Sequence, residues 1–259
     1  MTASVFLSFA TPFPPSAVLA AIAVFVLAGL VKGVVGLGLP TVAMALLALV
    51  MPPAQAAALL VAPSLVTNLL QLRPLSGLGP MLRRLGPMLA GVCAGSLAGG
   101  LWLGAPGGRW AAVALGAVLV LYAGWGLLGA RLNVSPGSER WLGPAAGAIT
   151  GLVTAATGVF VVPAVPYLQA LGLQKDELVQ AMGISFTVST LALAAGLAAQ
   201  GVYSAAAAGS SLLMLLPALA GMAAGQWLRG LLSPARFKTV LFTGLALLGA
   251  HMLVRGLTG

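Results

Sequence analysis

Acidic residues are almost missing from this chain. Its 259 residues include three, Glu139, Asp176 and Glu177, against twelve lysines and arginines. Charged residues make up 6% of the total, where soluble domains carry about 25%. So few charges could not cover the surface of a soluble protein of this length, so a water-soluble domain is excluded. Cysteine and histidine are equally scarce, with Cys93 and His251 alone. A lone cysteine forms no intrachain disulfide, and these residues offer no cluster of metal ligands. An intramembrane enzyme would need a nucleophile beside a base. His251 has no evident partner, the acids fall in loops, and no Gly-x-Ser-x-Gly is visible. Neither a metal nor a cofactor is expected. No basic stretch precedes the first apolar run, so the first helix is expected to be retained rather than cleaved as a signal peptide.

What the chain has in abundance is apolar sequence. It is 60% hydrophobic, with a mean hydropathy of +1.10. Long apolar runs broken by short Gly/Pro/Arg segments suit membrane-spanning helices of about 20 residues, not the alternating strands of a barrel. The fold class expected is an all-α polytopic membrane protein with the lipid bilayer as its surroundings. The net charge of +9 comes from basic residues scattered singly through loops. That pattern sets orientation in a membrane and argues against a nucleic-acid partner.

Ten helical pieces are expected, at about 17–36, 40–51, 54–72, 80–103 and 109–129, then 141–161, 163–172, 177–199, 204–229 and 236–256. The polar stretch "ARLNVSPGSER" divides them, giving a first unit 1–130, a cytoplasmic linker 131–140 and a second unit 141–259. The units look duplicated. "AGLVKG" (Ala28–Gly33) resembles "AGAITG" (Ala146–Gly151), and Ser64 and Asn68 align with Ser185 and Ser189. In each unit the second piece, Thr41–Val50 or Pro163–Gly172, is ten residues long. Ten residues reach about 15 Å, half the hydrocarbon core. Each unit should therefore open with a hairpin, a helix that dives, breaks and returns as a half-helix.

Charge placement fits hairpins that do not cross. With Arg73, Arg83 and Arg84 in the cytoplasm, nine of the twelve basic residues fall inside, among them Arg131, Arg140, Lys175, Arg229, Arg236 and Lys238. Arg109 and Arg255 fall outside, and Lys32 lies within a hairpin. Three crossings per unit then invert the second unit relative to the first, and both termini are expected in the periplasm.

The first break reads "GLVKGVVGLGLP", Gly29 to Pro40. Its glycines have two readings, close helix packing or a broken backbone lining a cavity. Proline suits the first turn of a helix, so half-helices starting at Pro40 and Pro163 would aim free N–H groups at the midplane and form a site for a small anion. The candidate site gathers Lys32, Gly36, Gly38, Pro40 and Thr41 with Ser64, Thr67 and Asn68 from the first unit. From the second it takes Thr154, Thr157, Gly158, Pro163, Ser185 and Ser189. Ser64, Thr67, Asn68 and Gln71 share one helix face by their spacing. Hydroxyls and amides can donate to an anion's oxygens. The alternative for Ser and Thr is a bond back to their own helix. For Lys32, the alternatives are a functional buried charge or a side chain that snorkels to an interface.

The hairpin openings, "GLVKGVVGLGLPTVAMALL" and "GAITGLVTAATGVFVVP", resemble the TauE/SafE sulfite-exporter family of bacterial inner-membrane transporters. So do "PPAQAAALLVAPSLVTNLLQL" and "GLQKDELVQAMGISFTVSTLALAAG" after them. Where members carry a "GxGGG" run, this chain has Gly36 and Gly38 in one half and Gly158 in the other; "APS" (Ala62–Ser64) and "GIS" (Gly183–Ser185) stand for the family's "GTS". The resemblance implies transport, with export the expected direction, of a small sulfur-containing or organic anion such as sulfite, sulfoacetate or a related sulfonate. A passive anion channel is the alternative the sequence leaves open.

Overall fold

A computed structural model describes residues 15–129 and 132–258. Arg131 and both chain ends, whose placement was expected above, lie outside the described residues. Among these residues every regular element is helical. The first half comprises α1 (Pro15–Val35), α2 (Leu39–Leu47), α3 (Pro53–Leu59), α4 (Val61–Leu69), α5 (Leu78–Leu103) and α6 (Gly108–Leu128). The second comprises α7 (Pro136–Thr157), α8 (Ala164–Ala170), α9 (Lys175–Ala199), α10 (Ala205–Leu228) and α11 (Pro234–Thr258). Seven helical stretches are long and apolar enough to cross a membrane: α1, α3 through α4 to Leu72, α5, α6, α9, α10 and α11. This is a multi-pass membrane protein.

Several expected boundaries shift. The third piece is not one smooth helix. Pro63 lacks an N–H and its ring crowds the carbonyl four residues back, so α3 ends at Leu59 and α4 starts afresh at Val61. The second half of the polar linker is helical, because Ser135 adopts an extended backbone and Pro136 opens α7. The half-helices are shorter than expected, nine residues in α2 and seven in α8.

The two halves are locked into each other through glycine. Gly29 and Gly33 of α1 lie against α10, where a methyl group would collide with the carbonyls of Ala218 and Met222. Gly221 and Gly225 of α10 press in return on the carbonyls of Val26 and Leu30. The same ladder joins α5 to α7: Gly91 and Gly95 meet Pro144 and Ala148, and Gly147 and Gly151 meet Met88 and Val92. Residue numbers rise together along both seams, so each pair of helices runs parallel. Without water to drive helices together, such backbone-to-backbone contact is what holds them. The third large seam joins α6 to α11, with Gly116 against Gly249 and Tyr122 edge-on to Phe242 at 5.2 Å.

The helix path sorts the charges. Arg73, Arg83, Arg84, Arg140, Lys175, Arg229, Arg236 and Lys238 fall at one end of the bundle with all three acids. Arg84 and Glu139 pair there at 2.5 Å, and Arg84 also donates to the carbonyl of Leu171 at the end of α8. Arg109 and Arg255 lie at the opposite end. Exposed Trp141 and Trp227 flank the first end, and Trp102 and Trp110 the second, as membrane-interface tryptophans do.

Candidate anion site

The first hairpin turns at Gly36 and Gly38, with φ of +86° and +104°. Residues with a Cβ rarely adopt these angles. Gly38 caps α2, Pro40 sits in its first turn, and no side chain satisfies its leading N–H groups. One turn before the break stands Lys32, 3% exposed. Its ammonium donates to Thr67 Oγ1 at 3.1 Å and to Asn68 Oδ1. Thr67 is itself anchored, donating to the Pro63 carbonyl at 2.7 Å. Asn68 Nδ2 reaches Thr190 Oγ1 at 3.5 Å, and Gln71 Nε2 donates to the Gly36 carbonyl. The polar face of α4 thus holds both the lysine and the turn beyond it.

No carboxylate compensates Lys32, since all three acids lie at the bundle's charged end. An ammonium has three donors, and two protein acceptors meet this one among the described residues. The interior holds a second unmet demand. Thr41, Ser64, Ser185 and Ser189 are fully buried, and their hydroxyls have no hydrogen-bond partner. Buried polar groups are ordinarily paired. Ser64 is on the Asn68 face of α4. Ser185 and Ser189 share a face of α9, largely turned away from the face where Gly183 touches Asn68 and Gln71 and Thr190 meets Asn68.

Other expected members are placed differently. Thr154 and Thr157 donate to the carbonyls of Thr150 and Val153 at 2.7 Å, the self-bonding alternative. Thr157 Oγ1 also accepts the Val159 N–H at 3.2 Å, which shapes the second break. Gly158, with φ of +71°, packs on Met44 of α2 and Ala57 of α3, so the second break meets the middle of the first hairpin, not its tip. Pro163 precedes α8 as its cap residue.

Three polar residues escaped the sequence reading. Thr190 links α9 to Asn68 but is off the i, i+4 series of Ser185 and Ser189. Gln180 donates to the carbonyls of Leu72 and Pro74 at 2.8 and 2.6 Å, tying α9 to the turn after α4. Ser211 of α10 stitches the α3–α4 kink, accepting from the Ala62 N–H and donating to the Leu59 carbonyl, both at 2.9 Å. Pro63 was the visible sign that this kink would need a partner.

Known families show where such an arrangement belongs. The family described as sulfite exporter TauE/SafE matches residues 21–252. The chain belongs to that family. No curated protein and no solved structure matches it. As a TauE/SafE member it is a membrane transporter of the sulfite-exporter type, with a small anion as its substrate class. The two segments that stand for the family's "GTS" both have structural work in this TauE/SafE chain. "APS" forms the kink that Ser211 stitches, and "GIS" brings α9 onto Asn68.

Proposed function

We propose that this chain exports a small sulfur oxyanion or sulfonate, sulfite and sulfoacetate being representative, and that the anion binds beside Lys32. The observation that carries this reading is the buried ammonium with neutral partners alone, in a protein interior that also holds four buried, unpartnered hydroxyls at Thr41, Ser64, Ser185 and Ser189. A buried charge is costly unless paired, and an anion supplies the pair. Thr41 and the free N–H groups of the first turn of α2 favour negative charge just past the break that follows Lys32. Without an acid to relay protons, the inside-negative potential supplies the drive, about 2.3 kcal/mol per charge per 100 mV.

In this reading the membrane is the bacterial inner membrane and the end rich in basic residues is cytoplasmic. The units 1–130 and 141–259 are inverted repeats joined by the linker 131–140, and both termini are periplasmic. Each unit contributes a re-entrant hairpin, α1–α2 or α7–α8, and three crossings. The reciprocal glycine ladders support it, since each unit's first helix packs on the same late helix of the other.

A thermal-shift series on the purified protein tests the substrate class. Sulfite, sulfoacetate and related sulfonates should raise the melting temperature of the wild type clearly more than that of Lys32→Met. Equal shifts in both proteins would place the site elsewhere. Flux in proteoliposomes should saturate with concentration; flux that stays proportional to it would mean a channel.

A further inference from the structure

Three basic side chains unused by the buried site meet at the opposite end of the molecule. Arg109 is the second residue of α6. His251 and Arg255 stand four apart near the end of α11 and so share a face. With Ala48, Leu49 and Met51, where α2 ends, they line a cavity of about 390 Å³. Arg109 Nε donates to the carbonyl of Gly256, the residue after Arg255. That bond ties the start of α6 to the end of α11 and keeps the two guanidiniums on one cavity. It is the one protein acceptor that either guanidinium has among the described residues. No Asp or Glu lies at this end to offset the charge. Like charges gathered without an acidic side chain beside them repel, so an anion would be favoured there.

We propose that this cavity is a second, outer oxyanion-binding station. The planar fork of a guanidinium matches two oxygens of a sulfite, sulfonate, carboxylate or phosphate group. Arg109 and Arg255 present such forks, and His251 adds a ring N–H. The cavity lies where α2 ends, and the break beside Lys32 lies where α2 begins, nine residues away. That separation is about 14 Å. One half-helix therefore links the buried site to the station, and a chain of binding places lets an ion move on from each. The role as a way station rests on the function proposed above; the binding itself does not. A lipid headgroup carries the same oxyanion chemistry, and the neighbouring Trp102 and Trp110 put this end at the membrane interface.

Sulfite titration by calorimetry, on full-length protein in phosphatidylcholine nanodiscs, separates the possibilities. Lys32→Met should retain a sulfite site, and adding Arg255→Gln should weaken that site at least tenfold. Arg255 makes no hydrogen bond within the described protein, so this change should leave the melting temperature unaltered. Arg255→Lys should restore part of the affinity. If the wild type binds sulfite through Lys32 but Arg255→Gln and Arg109→Gln bind normally, the station falls and the buried site stands. If Arg255 is required and Lys32 is not, the station stands and the buried site falls. If Lys32→Met binds no sulfite while phosphatidylglycerol discs raise the melting temperature of the wild type but not of Arg109→Gln/Arg255→Gln, the cavity is a headgroup clamp and the proposal is overturned.

Discussion

Lys32 is held by Thr67 and Asn68 with no carboxylate in reach. Methionine at this position keeps much of the apolar length and removes the charge. Lys32→Met should weaken sulfite binding by about tenfold or more, equivalent to roughly 1.4 kcal/mol. Its melting temperature should hold or rise, because an unpaired buried ammonium costs stability. Calorimetry and scanning fluorimetry measure both effects, and Lys32→Arg should keep part of the binding. Ser185 is a cleaner probe than Asn68. Its hydroxyl has no protein partner, so Ser185→Ala should slow flux and leave stability unchanged. Asn68→Ala removes a lysine acceptor and the link to Thr190. It should weaken binding and also destabilise the protein by about 1–3 kcal/mol, visible as a lowered melting temperature. The Ser64, Thr67, Asn68, Gln71 face was legible because helical spacing is local. Thr190 was hidden because its partner is 122 residues away.

The breaks and seams belong to the scale of whole elements. Ten pieces and two short returns were readable from apolar run lengths, glycine and proline. What could not be read was the use of each glycine. "AGLVKG" and "AGAITG" look alike because Gly29, Gly33, Gly147 and Gly151 all lie in the ladders. Gly36 and Gly38, a few residues on, turn the backbone instead. Substitutions should separate the two uses. Gly95→Val drives a side chain into the backbone of Ala148, and should abolish the monodisperse peak of the detergent-extracted protein. Gly38→Ala meets only Val31 at 3.4 Å but must hold φ near +104°. It should cost about 1–3 kcal/mol, lowering the melting temperature while leaving the protein foldable. Gly79→Ala, in open space within a helix, should have no adverse effect on either readout.

Across the whole molecule the charge asymmetry predicts an orientation. Single cysteines placed in a Cys93→Ser background test it. A cysteine at Ser138 should react with impermeant reagent from the cytoplasmic side, and one at Thr258 from the periplasmic side. Labelling of both from one side would sink the inverted arrangement. The positive-inside count left Arg109 and Arg255 as exceptions that sequence could not explain. Their gathering with His251 around one cavity depends on helix ends 147 residues apart, as the Arg109–Gly256 bond shows, and no local pattern carries that.

The glycine ladders also bear on time. Gly29 finds its place against Ala218, and 189 residues of synthesis separate the two. At about 5–20 residues per second, α1 waits roughly ten to forty seconds for its mate. During that wait its bare glycine face meets lipid, water or a chaperone. A nascent chain stopped after residue 129 should accordingly be a ready substrate for membrane quality control, while the same stretch supplied with a separately made second half should be rescued.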